Sequence, residues 1–469
     1  MRRKEMKRHL TMLVVLVASL ALATPAIAAV EFKYGGQYRI RAISDYGMVT
    51  TDNLDGTTDR NRNFIDTRLR LYFNFVASEN LRLVTKFEVG DTVWGNPAAV
   101  GRGSGGGVGA DGVNFETKNA YVEFGIPQTP IWASVGIQGI KLLDSWIIDD
   151  DFSAAVLRAK FDPIGVHLGY IGKQNLNVSD ESANIDALFL SVDYNDHVGP
   201  GALHANVVGY WQYGHKTAVS AFPAPSPFVP TGQITPAGPI PAFPGIIDNN
   251  NLFDLGFKLA YSMDWMSAYL TFVKNLGKIE IIGDDDAKYQ GWMIDAGMNF
   301  YHGPYTMNVG GFYTSGQAVD DDSSNIKQFT YPLGTYKYFS QIMGGGILDS
   351  PALIGHRDPN GALTGQWTGF GTPSNLWTIT VGGAWQALEA TKVSASYWYW
   401  GASERVENRD GGTSRDIGHE LNLILTQGIV DGLNLDLVGA VLFTGDAYSA
   451  EPSGNDDVYQ VGARLLWNF

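Results

Sequence analysis

Basic side chains recur at every second position in several parts of the sequence. Arg39 is followed two residues later by Arg41, and Arg68 is followed two residues later by Arg70. Successive side chains of a β-strand point to opposite faces, so this spacing aligns the guanidinium groups on one face of a sheet. Guanidinium groups bind anions because each carries a fixed positive charge and several hydrogen-bond donors. The pattern therefore indicates a surface that faces anions.

Other kinds of chemistry have no support in the residues. The chain has no Cys and 8 His, and no His has the spacing of metal ligands or of a catalytic site. No Gly-x-Ser-x-Gly motif occurs, and the glycine-rich stretch at 101–112 lacks the Gly-Lys-Ser/Thr of a phosphate loop. The net charge of −15 argues against a nucleic-acid surface, which has to be basic. We therefore expect no enzyme activity, no metal, no cofactor and no nucleic-acid partner.

Residues 1–28 have the pattern of a secretory signal peptide. A basic start precedes an apolar run from Leu10 to Ala23, and Ala26 and Ala28 form a small-x-small cleavage motif. We expect cleavage after Ala28 and one domain over residues 29–469; an uncleaved membrane anchor is the alternative. The removed part carries five basic residues and Glu5, which takes the net charge from −15 to −19. An exported chain without Cys fits a bacterial envelope.

The mature part alternates apolar and polar residues with a period of two. Leu69 and Leu71 fall on one parity, whereas Arg68 and Arg70 fall on the other. Such runs return along the whole chain and predict 18 strands of about ten residues, with 16 as the alternative. A helix of this composition would mix the two sets.

The links between these runs differ systematically in length. Long links alternate with tight ones, and the tight ones carry turn residues such as Asp162-Pro163 and Asp431-Gly432. This alternation predicts an all-β, closed antiparallel transmembrane barrel with short periplasmic turns and long external loops. A soluble sandwich or propeller, the alternative, predicts no such sorting of links, and no propeller repeat is visible.

The last strand carries a family resemblance. Residues 459–469 alternate apolar and polar side chains and end in Trp467 and Phe469. This ending resembles the assembly signal of Gram-negative outer-membrane proteins, which implies recognition of Trp467 and Phe469 by the outer-membrane assembly machinery. The whole mature chain resembles an outer-membrane porin, and its arginine-rich first strands resemble those of alginate-export-type and other 18-stranded substrate channels. The resemblance implies the bacterial outer membrane, contact with its lipids, and a homotrimer.

A barrel of this size encloses a water-filled lumen, and the polar parity faces it. The basic residues on that parity form a predicted pore-lining basic set, which consists of Arg39, Arg41, Arg68, Arg70, Arg82, Lys86, Arg158, Lys160 and Arg464. Because a closed barrel pairs its last strand with its first, this set forms one basic wall. The alternative is that these arginines pair with Asp66 and Glu88 and only fill space.

The link at 139–152 is too apolar for an ordinary external loop. In the porins that this chain resembles, the third external loop folds inward and narrows the pore. The acidic residues of that loop face a basic wall. This implies a constriction formed by Asp144, Asp149, Asp150 and Asp151. The alternative is an ordinary cap loop with Trp146 packed on the rim.

Three functions fit these features. The first is a porin for passive diffusion of small hydrophilic solutes and ions. The second is a substrate-specific channel for anionic saccharides or acids, guided by the basic wall. The third is a structural barrel that sheathes a partner protein.

Overall fold

The computed structural model describes residues 30–47, 62–97, 104–110, 114–175, 184–215, 246–282, 285–318, 325–350, 356–357, 363–364, 372–407, 412–447 and 457–469. The predicted signal peptide, residues 1–28, lies outside the described residues. No helix in the described part of the chain is long and apolar enough to cross a membrane.

The described chain consists almost entirely of strands, and 18 long ones form the wall of a barrel. The strands are β1 (Glu31–Tyr46), β2 (Arg62–Ser78), β3 (Leu81–Val93), β4 (Phe115–Gly125), β5 (Ile131–Leu142), β6 (Ile148–Phe161), β7 (Ile164–Asn175), β8 (Asn184–Val198), β9 (Gly201–His215), β10 (Ile246–Met263), β11 (Met266–Ile282), β12 (Trp292–His302), β13 (Tyr305–Thr314), β14 (Leu376–Leu388), β15 (Thr391–Glu407), β16 (Thr413–Val430), β17 (Leu433–Thr444) and β18 (Val458–Asn468). Short pieces lie between them, namely the strands Ala287–Lys288, His356–Arg357 and Leu363–Thr364 and the 3₁₀ turn Gly346–Leu348.

Each long strand pairs antiparallel with the next one along the chain, and the barrel closes between β1 and β18. The closing register runs from Gln37 opposite Asn468 to Tyr46 opposite Tyr459. A closed sheet leaves no edge, so every wall strand finds backbone partners on both sides, as a hydrocarbon environment requires. The predicted 18-stranded antiparallel barrel is therefore confirmed, and the alternative of 16 strands is wrong.

Tight turns join the strands at one end, which we call the short-turn end; the opposite end is the loop end. Glu79-Asn80, Gly303-Pro304 and Asp431-Gly432 are two-residue turns at the short-turn end. Gly303 and Gly432 adopt positive φ angles of 55° and 77°. Residues that have a Cβ atom adopt such angles only with strain. These three turns lie where the sequence predicted tight links.

The two faces of the wall are inverted relative to a water-soluble protein. Leu423 and Val461 on the outer face are 56% and 62% exposed, whereas Glu420 and Gln460 on the inner face are 0% exposed. Soluble domains bury apolar side chains and expose charged ones, so this inversion fits an outer surface in contact with lipid. The parity that the sequence assigned to each face is the one the structure has.

The face assignment predicts that an arginine at Leu423 impairs folding. Leu423 lies near the middle of β16 and points outward, so the Leu423→Arg variant exposes a charge to hydrocarbon. We expect a loss of about 2–4 kcal/mol in the free energy of unfolding, measured by denaturant unfolding in lipid vesicles.

The matched control is Ser394→Arg on the neighbouring strand β15. Ser394 directly precedes Ala395, the residue that pairs with Leu423. Ser394 faces inward and lines a cavity of about 270 Å³, which has room for the new side chain. We expect this variant to fold like the wild type. Equal losses in the two variants would contradict the assignment of the faces.

Candidate functional site

The hairpin of β5 and β6 leaves the wall and enters the lumen. β4 pairs with β5 only as far as Ile137, and β6 pairs with β7 only from Ser153 onward, while β5 and β6 stay paired with each other to Leu142 and Ile148. Gly136 stands at the bend with a φ of 134°, where a Cβ atom would lie 2.3 Å from the carbonyl oxygen of Ala120. We call residues 138–152 the inner hairpin. The expected long loop at 139–152 is therefore mostly strand, with a connection only at 143–147.

The tip of the inner hairpin reaches the opposite side of the barrel. Trp146 is fully buried, and its indole nitrogen donates a hydrogen bond of 2.8 Å to Asp295 on β12. Its ring stacks near Tyr331 and meets Phe312 of β13 edge-on, with a centroid distance of 5.3 Å. Asp144 forms an ion pair with Lys258 of β10. These contacts place the tip of the inner hairpin against β10, β12 and β13.

The four predicted acidic residues of this hairpin do not form ion pairs with the predicted basic set in the described part of the chain. Asp144 pairs with Lys258, Asp149 with Lys141, and Asp151 with Lys118, while an Asp150 oxygen accepts a hydrogen bond from the Asp151 amide. Among the described residues, their ion pairs are therefore with lysines outside the predicted basic set, and the tip of the inner hairpin lies against β10, β12 and β13. Their part in a constriction stays a prediction.

A second segment occupies the lumen and was not identified as inward-folded from the sequence. Residues 325–350, which we call the lumen segment, lie in the link between β13 and β14. Glu420 of β16 is fully buried and accepts hydrogen bonds from the Ser340 hydroxyl at 2.7 Å and from the amides of Ile342 and Met343 at 2.9 and 3.2 Å. Gln460 donates to the carbonyl oxygen of Ser350 at 2.7 Å. The carboxylate of Glu420 and the side-chain amide of Gln460 therefore attach the lumen segment to the wall of the barrel.

The lumen segment also binds the inner hairpin. The Thr335 hydroxyl donates to the Ile147 carbonyl oxygen, and the Asp149 amide donates to the Gly334 carbonyl oxygen at 2.9 Å. The ammonium group of Lys337 lies 4.4 Å from the centre of the Trp146 ring. The side chains between the two pieces form a buried apolar cluster, which includes Trp146, Ile147, Phe329, Tyr331, Ile342 and Met343. Together the two pieces fill much of the lumen toward the loop end.

Three residues of the basic set converge on one carboxylate of the lumen segment. The nearest guanidinium nitrogens of Arg39, Arg41 and Arg68 lie 3.5, 3.7 and 3.9 Å from Oδ2 of Asp349. Arg41 also donates to the carbonyl oxygen of Leu348. Sequence reasoning missed Asp349, because a single Asp in a long link without periodicity carries no signal of its position.

The wall supplies two further carboxylates to this group. Arg41 forms a bidentate pair with Asp66, and Arg39 pairs with Asp91. Three guanidinium groups thus face three carboxylates, and Asp349 is the one that the wall does not provide. Among these described side chains, the carboxylate of Asp349 balances the third positive charge.

The tyrosine hydroxyls of Tyr336 and Tyr338 donate hydrogen bonds of 2.8 and 2.7 Å to Oδ1 of Asp349. Burial by itself raises the pKa of this carboxyl, but the charges of Arg41 and Arg39 and the two tyrosine hydrogen bonds lower it more, so the pKa of Asp349 lies below its usual value of 3.8. A carboxyl whose pKa is depressed by folding loses its stabilising charge only as the pH falls through that lowered value. Asp349 is therefore ionised throughout the neutral and mildly acidic range.

Most of the remaining basic set is also paired. Arg70 pairs with Glu88, Arg464 with Asp436, and Arg82 and Arg158 share Glu123. Lys86 lies over the Tyr72 ring at 5.6 Å, and Lys160 is exposed on β6. Two of the pairs that the sequence left as an alternative are present, Arg41 with Asp66 and Arg70 with Glu88, while the pore-lining role of the basic set stays a prediction. Arg464 additionally donates to the Ile347 carbonyl oxygen at 3.0 Å.

The lumen on the short-turn side of these segments holds cavities whose linings include polar side chains. One of about 400 Å³ is lined by His197, His204, Lys258 and Tyr269 on β8–β11. The other, of about 270 Å³, is lined by Asn308, Lys392, Ser394 and Asn422 on β13–β16. Within the described residues, no group of three or more His, Asp or Glu side chains is placed to hold a metal ion. The polar side chains of these linings are able to form hydrogen bonds with hydrophilic solutes.

No protein-family model matches the sequence, and no curated protein is similar to it. The fold, however, is similar to solved structures. The outer membrane protein opdK from Pseudomonas aeruginosa superposes with a TM-score of 0.53 at 10% identity, over 94% of this chain and 98% of that one. Pseudomonas aeruginosa OpdQ superposes with a TM-score of 0.51 at 9% identity, over 93% and 98%. The chain therefore has the closed-barrel fold of these solved structures, one of which is an outer membrane protein.

Proposed function

We propose that the protein is an outer-membrane channel through which small hydrophilic solutes diffuse passively. The observation that carries this proposal is the inversion of the closed barrel, with apolar side chains outside and ionised ones inside. The apolar outside is in contact with outer-membrane lipids, and the polar inside offers solutes a path through the bilayer. Export through a signal peptide over residues 1–28 and recognition of Trp467 and Phe469 by the assembly machinery belong to the same proposal, as does a homotrimer.

The two inward pieces favour a selective channel over a general one. The inner hairpin and the lumen segment bring a buried apolar cluster into the lumen, and charged groups surround what remains of the path. Selectivity in pores arises from such constrictions and from the charges that line them. The same pieces argue against a sheath for a partner protein, because they occupy the space that a partner needs. We expect no catalytic activity.

Single-channel recording in planar bilayers tests this proposal. We expect discrete conductance steps that are small for an 18-stranded barrel, because the lumen segment and inner hairpin narrow the lumen. Blocking by candidate solutes, added one at a time, then separates a substrate-specific channel from a general one. A correctly folded barrel that inserts into bilayers and carries no ions would contradict a channel function.

A further inference from the structure

The wall site around Arg39, Arg41 and Arg68 is an anion site, and the anion in it belongs to the chain itself. The three guanidinium groups come from β1 and β2, and all three face the carboxylate of Asp349 within 4 Å. Arg39 and Arg41 are only 4% and 3% exposed, so this carboxylate occupies the position that a dissolved anion would need. A solute reaches these groups only if the lumen segment moves.

Three of the contacts that hold the lumen segment at this site, those of Asp349 with Arg39, Arg41 and Arg68, depend on the charge of the Asp349 carboxylate, whereas the hydrogen bond from Arg41 to the Leu348 carbonyl oxygen does not. Tyr336 and Tyr338, from the same segment, aim the carboxylate at the wall. Without the negative charge, the guanidinium groups of Arg39, Arg41, Arg68 and Arg70 face the carboxylates of Asp66, Asp91 and Glu88, so one positive charge is in excess. A buried charge without a partner is costly, so the site then favours water and dissolved anions over the segment.

We propose that the lumen segment is a tethered plug, in which Asp349 acts as a built-in competitor for anions at the Arg39, Arg41 and Arg68 site. The plug sets how often the channel is open, since release of Asp349 exposes three guanidinium groups along the path. This inference rests on the proposed channel function and adds to it an autoinhibitory contact.

The experiment compares Asp349→Asn with the wild type in planar bilayers. Asparagine keeps the size of the side chain and removes the charge, so the variant tests the ion pairs alone. We expect the mean conductance to at least double and the reversal potential in a potassium chloride gradient to shift toward chloride. The control is Asp286→Asn, which removes a carboxylate that pairs with Lys278 at 2.8 Å near the loop end of β11, and we expect it to behave like the wild type.

An introduced disulfide provides a second measurement that does not depend on the folding of the first variant. The natural chain has no Cys, and a Leu348 methyl carbon lies 2.6 Å from where a Cβ atom on Gly462 would stand, so Leu348→Cys and Gly462→Cys place two thiols side by side. We expect oxidation to reduce the conductance of this double variant, and reduction of the disulfide to restore it.

The outcomes separate the two proposals. Conductance that is equal in the wild type, in Asp349→Asn and in both redox states of the disulfide variant overturns the plug and leaves the channel intact. The absence of conductance from every folded variant, including the reduced disulfide variant, overturns the channel function and the plug with it.

Discussion

Replacement of Trp146 by alanine is expected to detach the tip of the inner hairpin and to widen the lumen. Trp146 is fully buried between Phe312 and Tyr331 and is anchored to Asp295 on the far wall, so its removal leaves a large cavity. Truncation of a buried aromatic residue costs about 3–5 kcal/mol in the free energy of unfolding. We expect no larger loss here, because only the tip of the inner hairpin detaches and the wall of the barrel stays intact. Denaturant unfolding followed by far-ultraviolet circular dichroism measures the loss, and planar bilayers measure the accompanying rise in conductance.

Trp146→Phe is the matched control for this prediction. It keeps an aromatic ring between Phe312 and Tyr331 but removes the donor to Asp295, which still accepts a hydrogen bond of 3.0 Å from Tyr269. We expect a smaller loss of about 1 kcal/mol and a conductance close to that of the wild type. If Trp146→Ala is as stable and as poorly conducting as the wild type, the tip does not hold the constriction.

The second large effect is expected at the buried ion pair between Arg41 and Asp66. Both side chains are at most 4% exposed, and the pair is bidentate. Asp66→Ala leaves the guanidinium group with its weaker contacts to Asp91 and Asp349, at 3.5 and 3.7 Å. Removal of one member of a buried pair costs about 3–5 kcal/mol, because the other charge stays buried without its main partner.

A double variant shows whether this cost comes from the unpaired charge. Arg41→Met combined with Asp66→Leu removes both charges and retains apolar volume, so we expect it to recover most of the stability lost in Asp66→Ala. Denaturant unfolding of the three proteins in the same vesicles gives the comparison. A double variant that is less stable than Asp66→Ala would show that the pair itself, and not the unpaired charge, accounts for the loss.

The wall of the barrel could be predicted because its information is local. Each strand carries its own alternation, such as Leu69 and Leu71 against Arg68 and Arg70, and each tight turn carries Gly, Pro, Asn or Asp. Pairing of the basic set could also be anticipated in part, since Asp66 and Glu88 lie on the same inward parity as the arginines. Neither the prediction of the wall strands nor that of the ion pairs depends on knowing the path of a loop.

The contents of the lumen could not be predicted in the same way. Gly136 bends the inner hairpin inward, yet it is one of 56 glycines, and its role depends on how close the Ala120 carbonyl lies. Asp349 is separated from its arginine partners by about three hundred residues of sequence, and its position depends on the whole path of the lumen segment. From the sequence, the link between β13 and β14 could be recognised only as unusually long. The acidic run at 149–151 gave a stronger pattern, and its ion pairs are with Lys118 and Lys141, two lysines that the sequence reasoning did not include.

The closure between β1 and β18 imposes an order on the folding of the chain. The seam joins residues as far apart as Gln37 and Asn468, a separation of 431 positions, and Phe469 completes it through two backbone hydrogen bonds with Gly36. Every other pair of wall strands is adjacent along the chain and closes a shorter loop, so the hairpins form at a lower entropic cost than the seam. Until β18 pairs with β1, the sheet keeps two open edges, and such edges template intermolecular pairing. The pairing with the highest loop-closure cost is therefore also the one that removes both open edges of the sheet.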